Sequence, residues 1–142
     1  MNSNKFILAG IAGGIVYFLL GWLIYGILLS DFMKSNAGSA TGVDREEMVY
    51  WSLIVGNLFS GFLLSYIFTR LANISTAGGG AMAGAVVGLL VCAGFDFTMY
   101  GVSNLTTLTG LIVDILAFTV LSAIAGAVVG AVAGSGKKGA TA

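Results

Sequence analysis

The stretch FILAGIAGGIVYFLLGWLIYGILL, residues 6–29, carries no charged side chain from its first position to its last. A helix of this length covers the roughly 30 Å hydrocarbon core of a bilayer. Lys5 precedes the stretch and Asp31 follows it, so the nearest charged residues lie where a spanning helix meets water. The apolar run exceeds the about 7–15 residues of a cleaved signal peptide, so we expect a retained transmembrane helix.

Three further segments have the same character, and the first of them is the uncharged run between Glu47 and Arg70. The sequence lacks the strict polar–apolar alternation of membrane strands, so helices are the expected spanning elements. We predict an all-α fold, a four-helix transmembrane bundle that forms a single domain over residues 1–142. The predicted spans are 6–29, 48–70, 77–100 and 107–134, with an outer loop at 31–47 and a short cytoplasmic tail at 135–142.

The composition excludes most soluble functions, since 58% of the residues are hydrophobic and only 8% are charged. Soluble domains carry about 25% charged residues, and disordered chains combine low hydrophobicity with high charge. The chain has no His and one Cys, which excludes a Cys/His zinc site, a disulfide framework and His-dependent nucleophilic catalysis. The formal charge is zero and no basic stripe is present, so we expect no nucleic-acid partner. We also expect no enzymatic activity, no cofactor and no metal.

The basic residues predict how the chain is oriented in the membrane. A four-span topology puts Lys5, Arg70 and the Lys137–Lys138 pair on one side and only two basic residues, Lys34 and Arg45, on the other. Cytoplasmic segments carry the excess of Lys and Arg, so both termini are predicted to be cytoplasmic.

The 31–47 loop is then predicted to be extracytoplasmic, and its composition changes along its length. Residues 35–42 are small and polar, which is typical of a flexible linker. The acidic segment 44–47 resembles the first turn of a helix that leads into the second span.

Small residues recur every four positions in the third and fourth spans. Lipid gives little hydrophobic drive between helices, so close packing depends on small residues on the facing sides. The turn between these spans is short, and we predict that the two rows face each other within one chain, with Gly80 opposite Gly134 and Gly84 opposite Gly130. The predicted packing residues are Gly80, Gly84, Gly88, Ser122, Gly126, Gly130 and Gly134.

Two carboxylates, Asp96 and Asp114, lie within the third and fourth spans, each nine residues from Leu105 in the connecting turn. They are therefore expected at similar depth, where an unpaired acid costs several kcal/mol. Three functional interpretations remain open: the pair shares a proton, binds a cation, or stays ionised in a water-filled vestibule. The structural alternative is that both accept hydrogen bonds or reach interfacial water. The predicted polar cluster consists of Asp96, Asp114, Asn57, Tyr25 and Tyr100.

The third and fourth spans resemble a family of small bacterial membrane proteins. The segments that carry the resemblance are Phe95-Asp96-Phe97-Thr98, Asn104-Leu105-Thr106-Thr107-Leu108, Val113-Asp114 and Thr119-Val120-Leu121. They are similar to the four-helix proteins of domain of unknown function 2177, and the first span resembles the related family 1761. The resemblance implies a bacterial inner-membrane protein with no known activity, and it puts Asp96 and Asp114 on the family's polar positions.

Two functions remain open. The preferred interpretation is a structural or accessory protein in the lipid bilayer, either self-associating or a subunit of a larger membrane complex. The alternative is a small proton- or cation-coupled transporter that uses the Asp96–Asp114 pair.

Overall fold

The computed structural model describes residues 3–136, and every regular element in that range is a helix. Four helices are long and apolar enough to cross a membrane, which confirms the predicted all-α class with four candidate spans. Their ends lie within three residues of the predicted boundaries. Residues 137–142 of the predicted tail, which include Lys137 and Lys138, lie outside the described residues. The helices are α1 (Ser3–Leu28), α2 (Ser30–Ser35), α3 (Tyr50–Leu71), α4 (Ala77–Val102) and α5 (Leu108–Gly134).

Local sequence fixes where the last two long helices begin. Thr76 precedes α4, and its hydroxyl oxygen accepts a hydrogen bond from the Gly79 N–H at 3.1 Å. Thr107 caps α5 in the same way, through the Gly110 N–H at 3.1 Å. Threonine is favoured at this position because it satisfies an N–H group that has no partner within the helix.

The long helices make their most extensive contacts in the order α3, α1, α5, α4, and we name this arrangement the row. The C-terminal part of α3 also contacts α5, whereas α3 and α4 lie apart. One end of the row holds the start of α1, the α3–α4 turn and the end of α5; we name it the terminal end. The opposite end, with residues 29–49 and the α4–α5 turn at 103–107, is the loop end. The buried core lies in the terminal half, around Leu64, Phe68 and Val129.

The closest helix contact is between α4 and α5, along the two predicted rows of small residues. A Cβ added at Gly84 would overlap the Ser122 carbonyl oxygen and lie 2.9 Å from the Gly126 Cα. A Cβ at Gly126 would likewise overlap the Gly80 carbonyl oxygen. The two backbones therefore touch directly, and we name this contact the α4–α5 seam.

The seam has a different register from the predicted one. Gly80 lies against Gly126 and Gly130, and Gly134 lies against Ser75. Each α4 glycine therefore contacts residues one to two helical turns away from its predicted partner on α5. The cause is the turn: α4 continues to Val102 and α5 begins at Leu108, so the hairpin is centred nearer to Leu105 than the predicted pairing requires.

A second glycine contact joins α1 to α3. A Cβ on Gly61 would overlap the Gly14 nitrogen and the Gly10 carbonyl oxygen, and it would lie 2.8 Å from the Gly13 carbonyl carbon. Between α1 and α5, the Tyr17 hydroxyl donates a hydrogen bond to the Ser122 Oγ at 2.9 Å. Backbone proximity and one buried hydrogen bond thus hold three of the long helices together.

We expect Gly84→Ala to destabilise the protein by about 1–3 kcal/mol, because the new methyl group meets backbone atoms that cannot rotate away. The matched control is Gly94→Ala on the same helix, where an added Cβ has no neighbour within 4 Å. Denaturant titration of both variants in detergent micelles measures the difference. Equal stabilities for the two variants would contradict the seam.

Candidate functional site

A cavity of about 560 Å³ lies at the loop end, between α1, α4, α5 and the segment that follows α1. Its deep part carries Tyr25 from α1, Asp96 from α4 and Asp114 from α5. The α4–α5 seam ends at Gly88 and Ser122, about two turns below these carboxylates. The cavity therefore begins where the helices stop touching through their backbones.

The two carboxylates lie next to Cys92. A sulfur or oxygen atom from each of Cys92, Asp96 and Asp114 lies within 4.8 Å of the other two. The Cys92 thiol donates to the Asp96 Oδ2 at 3.2 Å, which the i, i+4 spacing on one helix face allows. The structure thus brings together the two predicted acids, as equal distances from Leu105 had suggested.

Tyr25 reaches this pair because of an irregular stretch in α1. Residues 22–28 form wider π-helical turns, and the Leu29 N–H donates to the Ile24 carbonyl at 2.7 Å. Such stretches are rare and often lie at functional sites, because they redirect side chains. The Tyr25 hydroxyl lies 3.5 Å from the Asp114 backbone carbonyl oxygen, to which it donates a long hydrogen bond.

The cavity is covered by part of the 31–47 loop. The Gly38 N–H donates to the Leu105 carbonyl at 3.0 Å, and the Ala40 N–H donates to the Asn104 carbonyl at 3.0 Å. The Thr107 N–H donates to the Asn36 carbonyl at 2.9 Å. We name residues 36–40 the roof, since they form a short backbone ladder with the α4–α5 turn.

Two loop predictions are therefore wrong. The 35–42 segment is not a free linker, because the roof is bonded to the α4–α5 turn. Residues 44–47 are not helical, since α3 begins only at Tyr50. The helix in this region is instead α2, whose Asp31 lies in the first turn and whose Lys34 lies in the last. An acid in the first turn and a base in the last turn interact favourably with the helix dipole. This interaction stabilises the short helix at this position.

The structure separates the predicted polar cluster into two groups. Tyr25, Asp96 and Asp114 line the cavity, whereas Asn57 and Tyr100 do not. Asn57 lies on α3, beyond α1 in the row, and its amide donates to the Leu53 carbonyl of its own helix at 2.7 Å. Tyr100 lies on α4 with 43% of its surface exposed. The predicted cluster is corrected accordingly: matching depth did not reveal that α3 lies away from α4, or that Tyr100 on α4 lies outside the cavity.

Three residues of the site were missed by the sequence interpretation. Cys92 is absent from the predicted cluster, although the sequence shows its i, i+4 spacing to Asp96. Lys34 and Asp44 line the cavity from the loop, where no periodicity could indicate their direction.

The charges of the cavity are unevenly distributed. Lys34 and Asp44 have opposite charges and come from the loop, so their contributions offset each other. The remaining charge belongs to Asp96 and Asp114, and within residues 3–136 neither carboxylate forms an ion pair with a basic side chain. An uncompensated pair of acids in a low-dielectric cavity attracts a cation or a proton.

Comparison of this chain with family models, curated proteins and solved structures returns no match. The resemblance to the families of unknown function therefore stays a prediction, and the geometry of the cavity carries the functional argument.

We expect Gly38→Val to detach the roof, because a Cβ there would overlap the Asn104 carbonyl group. Ser39→Val is the matched control, since Ser39 is exposed. Trypsin cleavage after Lys34 and Arg45 in detergent measures the effect: Gly38→Val should be cut several-fold faster than the wild type. Equal rates for both variants would mean that the ladder does not hold the loop.

Proposed function

We propose that this chain is a small multi-pass membrane protein that binds a cation in its loop-end cavity and acts as a cation- or proton-coupled carrier. The observation that carries the proposal is the pairing of Asp96 and Asp114 at the deep end of a 560 Å³ cavity without a basic partner among the described residues. Acidic side chains inside a membrane are costly, and they usually mark an ion or proton path.

The environment of the carboxylates supports a cation as the natural partner. A bound cation would supply the opposite charge that the protein does not, and Tyr25 and Cys92 add polar atoms beside the pair. A proton would meet the same need, so exchange of a proton for a cation at one site is chemically reasonable.

Location and orientation are part of the same proposal. The sequence pattern of four basic residues next to the termini and the 71–76 turn, against two in the 31–47 loop, supports cytoplasmic termini, with the cavity open to the opposite side. The resemblance to families of small bacterial proteins supports the bacterial inner membrane.

Transport would require the terminal half to open. The α4–α5 seam closes that half, and its small residues would allow the two helices to slide past each other by a small shear.

The test is Asp96→Asn combined with Asp114→Asn, which removes the charge and keeps the shape. In liposomes we expect the wild type to show a cation flux that depends on the pH gradient. The flux of the double variant should be at least tenfold lower than that of the wild type. The control is Asp31→Asn, an exposed acid outside the cavity, which should keep wild-type flux.

Helix content and elution volume establish whether the double variant is folded. A folded double variant with wild-type flux would refute the role of the pair. A wild type without flux under any gradient would exclude the carrier. A double variant that does not fold would indicate that the carboxylates hold the helices together.

The second candidate is the structural or accessory role, and one observation favours it. All residues from 50 to 56 of α3 are exposed, including Trp51 with 70% of its surface exposed. This half-helix has no close neighbour in the described chain, so another helix could complete the row. The partner would be a second copy or a different membrane subunit.

We expect the mild-detergent native mass to separate the two candidates. A carrier that is complete in itself should elute as a monomer or a homodimer. Foreign chains that co-purify in fixed stoichiometry would instead support an accessory subunit. Replacing Trp51 and Ile54 with Ala should then release those chains, whereas the same change at Leu90 and Phe95 on α4 should not.

A further inference from the structure

The walls of the loop-end cavity are mainly hydrocarbon. Met33 and Val43 contribute from the loop side, and Met99, Leu105 and Leu111 contribute from α4, α5 and the turn between them. The volume of about 560 Å³ falls within the range of pockets that hold drug-sized organic molecules. A small inorganic ion bound at the two carboxylates would fill only a small part of this space.

The charged groups occupy two levels of the cavity. Asp96 and Asp114 lie at the deep end, whereas Lys34 and Asp44 belong to the 31–47 loop above them. A complementary ligand therefore has one positive group that reaches the carboxylates and an apolar body that fills the space between the two levels.

Two kinds of side chain suit such a ligand. Met33 and Met99 are unbranched and polarisable, so they adapt to apolar bodies of different shapes. Tyr25 lines the cavity beside the acids, and aromatic rings attract cations. Polar groups converge at one point and apolar groups surround the rest, which is typical of small-molecule sites.

We propose that the ligand of this cavity is an amphipathic organic cation, with its positive group at Asp96 and Asp114 and its apolar body against Met33, Met99 and Leu111. The proposal rests on the proposed cation-binding function and names its substrate class. The competing occupant is a thiophilic divalent metal ion, which Cys92 and the two carboxylates would ligate.

The test uses the purified full-length protein in detergent and three probes. Tetraphenylphosphonium represents an apolar cation, triphenylphosphine oxide represents an uncharged molecule of similar shape, and Zn²⁺ represents a bare metal ion. Equilibrium dialysis measures binding of the first two probes, and calorimetry measures binding of Zn²⁺. A proton-release measurement on addition of each probe reports whether the acids take part.

We expect the wild type to bind tetraphenylphosphonium at least tenfold more tightly than triphenylphosphine oxide. Asp96→Asn with Asp114→Asn should weaken binding of the cation at least tenfold, and Asp31→Asn should leave it unchanged. Met99→Trp fills apolar space and keeps both acids. It should therefore weaken the binding of tetraphenylphosphonium at least fivefold without changing the proton release that Zn²⁺ causes.

The outcomes separate the substrate class from the function on which it rests. Zn²⁺ or small-cation binding that requires the acids, without tetraphenylphosphonium binding, would overturn the substrate class and leave the cation site standing. No binding of any cation would overturn both. Equal binding of tetraphenylphosphonium to the wild type and to a folded double variant would mean adsorption to apolar surface, which also overturns the proposal.

Discussion

Backbone contact between α4 and α5 determines where the rest of the molecule can be open. Gly80 and Gly84 bring the α4 backbone against Ser122 and Gly126 so closely that no Cβ fits. Where lipid supplies no hydrophobic drive, such proximity is the main source of attraction between helices. Beyond Gly88 the four-residue row of α4 continues with the larger residues Cys92 and Asp96. The helices must separate there, and the cavity occupies the space that this separation creates.

Helix α1 connects the closed half to the open half. In the closed half its glycines touch Gly61 of α3. The Tyr17 hydroxyl donates a hydrogen bond to Ser122, where the α4–α5 seam ends on the side of the loop end. One and a half turns later the π-helical stretch begins and turns Tyr25 towards Asp114. A regular α-helix would satisfy the hydrogen bonds of the same backbone groups, so backbone bonding alone does not require the π-helical stretch. The stretch lies at the site, as such stretches often do.

The sequence predicts the spans well because charge is a sharp signal: an uncharged run ends where a spanning helix can meet water. It also predicts that Asp96 and Asp114 meet, since a short turn fixes their relative depth. It does not predict the whole helix order, because the spans are apolar on all sides and only the small-residue rows of α4 and α5 were used to predict a neighbour. Asn57 was assigned to the cluster for this reason. The roof was missed because Gly, Ser and Ala around Asn36 give no strand pattern.

Residues 36–48 cover the cavity, and their two parts differ in how they are bonded to the α4–α5 turn. This difference bears on how the proposed ligand would reach the carboxylates. The roof at 36–40 is bonded to the α4–α5 turn, whereas residues 41–48 are exposed and donate no hydrogen bond to that turn. Val43 and Asp44 in the second part nevertheless line the cavity. Moving residues 41–48 therefore breaks no hydrogen bond of the backbone ladder, whereas moving the roof breaks its three backbone hydrogen bonds. For the proposed cation, entry beside Asp44 is therefore the less costly route, and an approaching cation would meet first this acid and then the deeper pair.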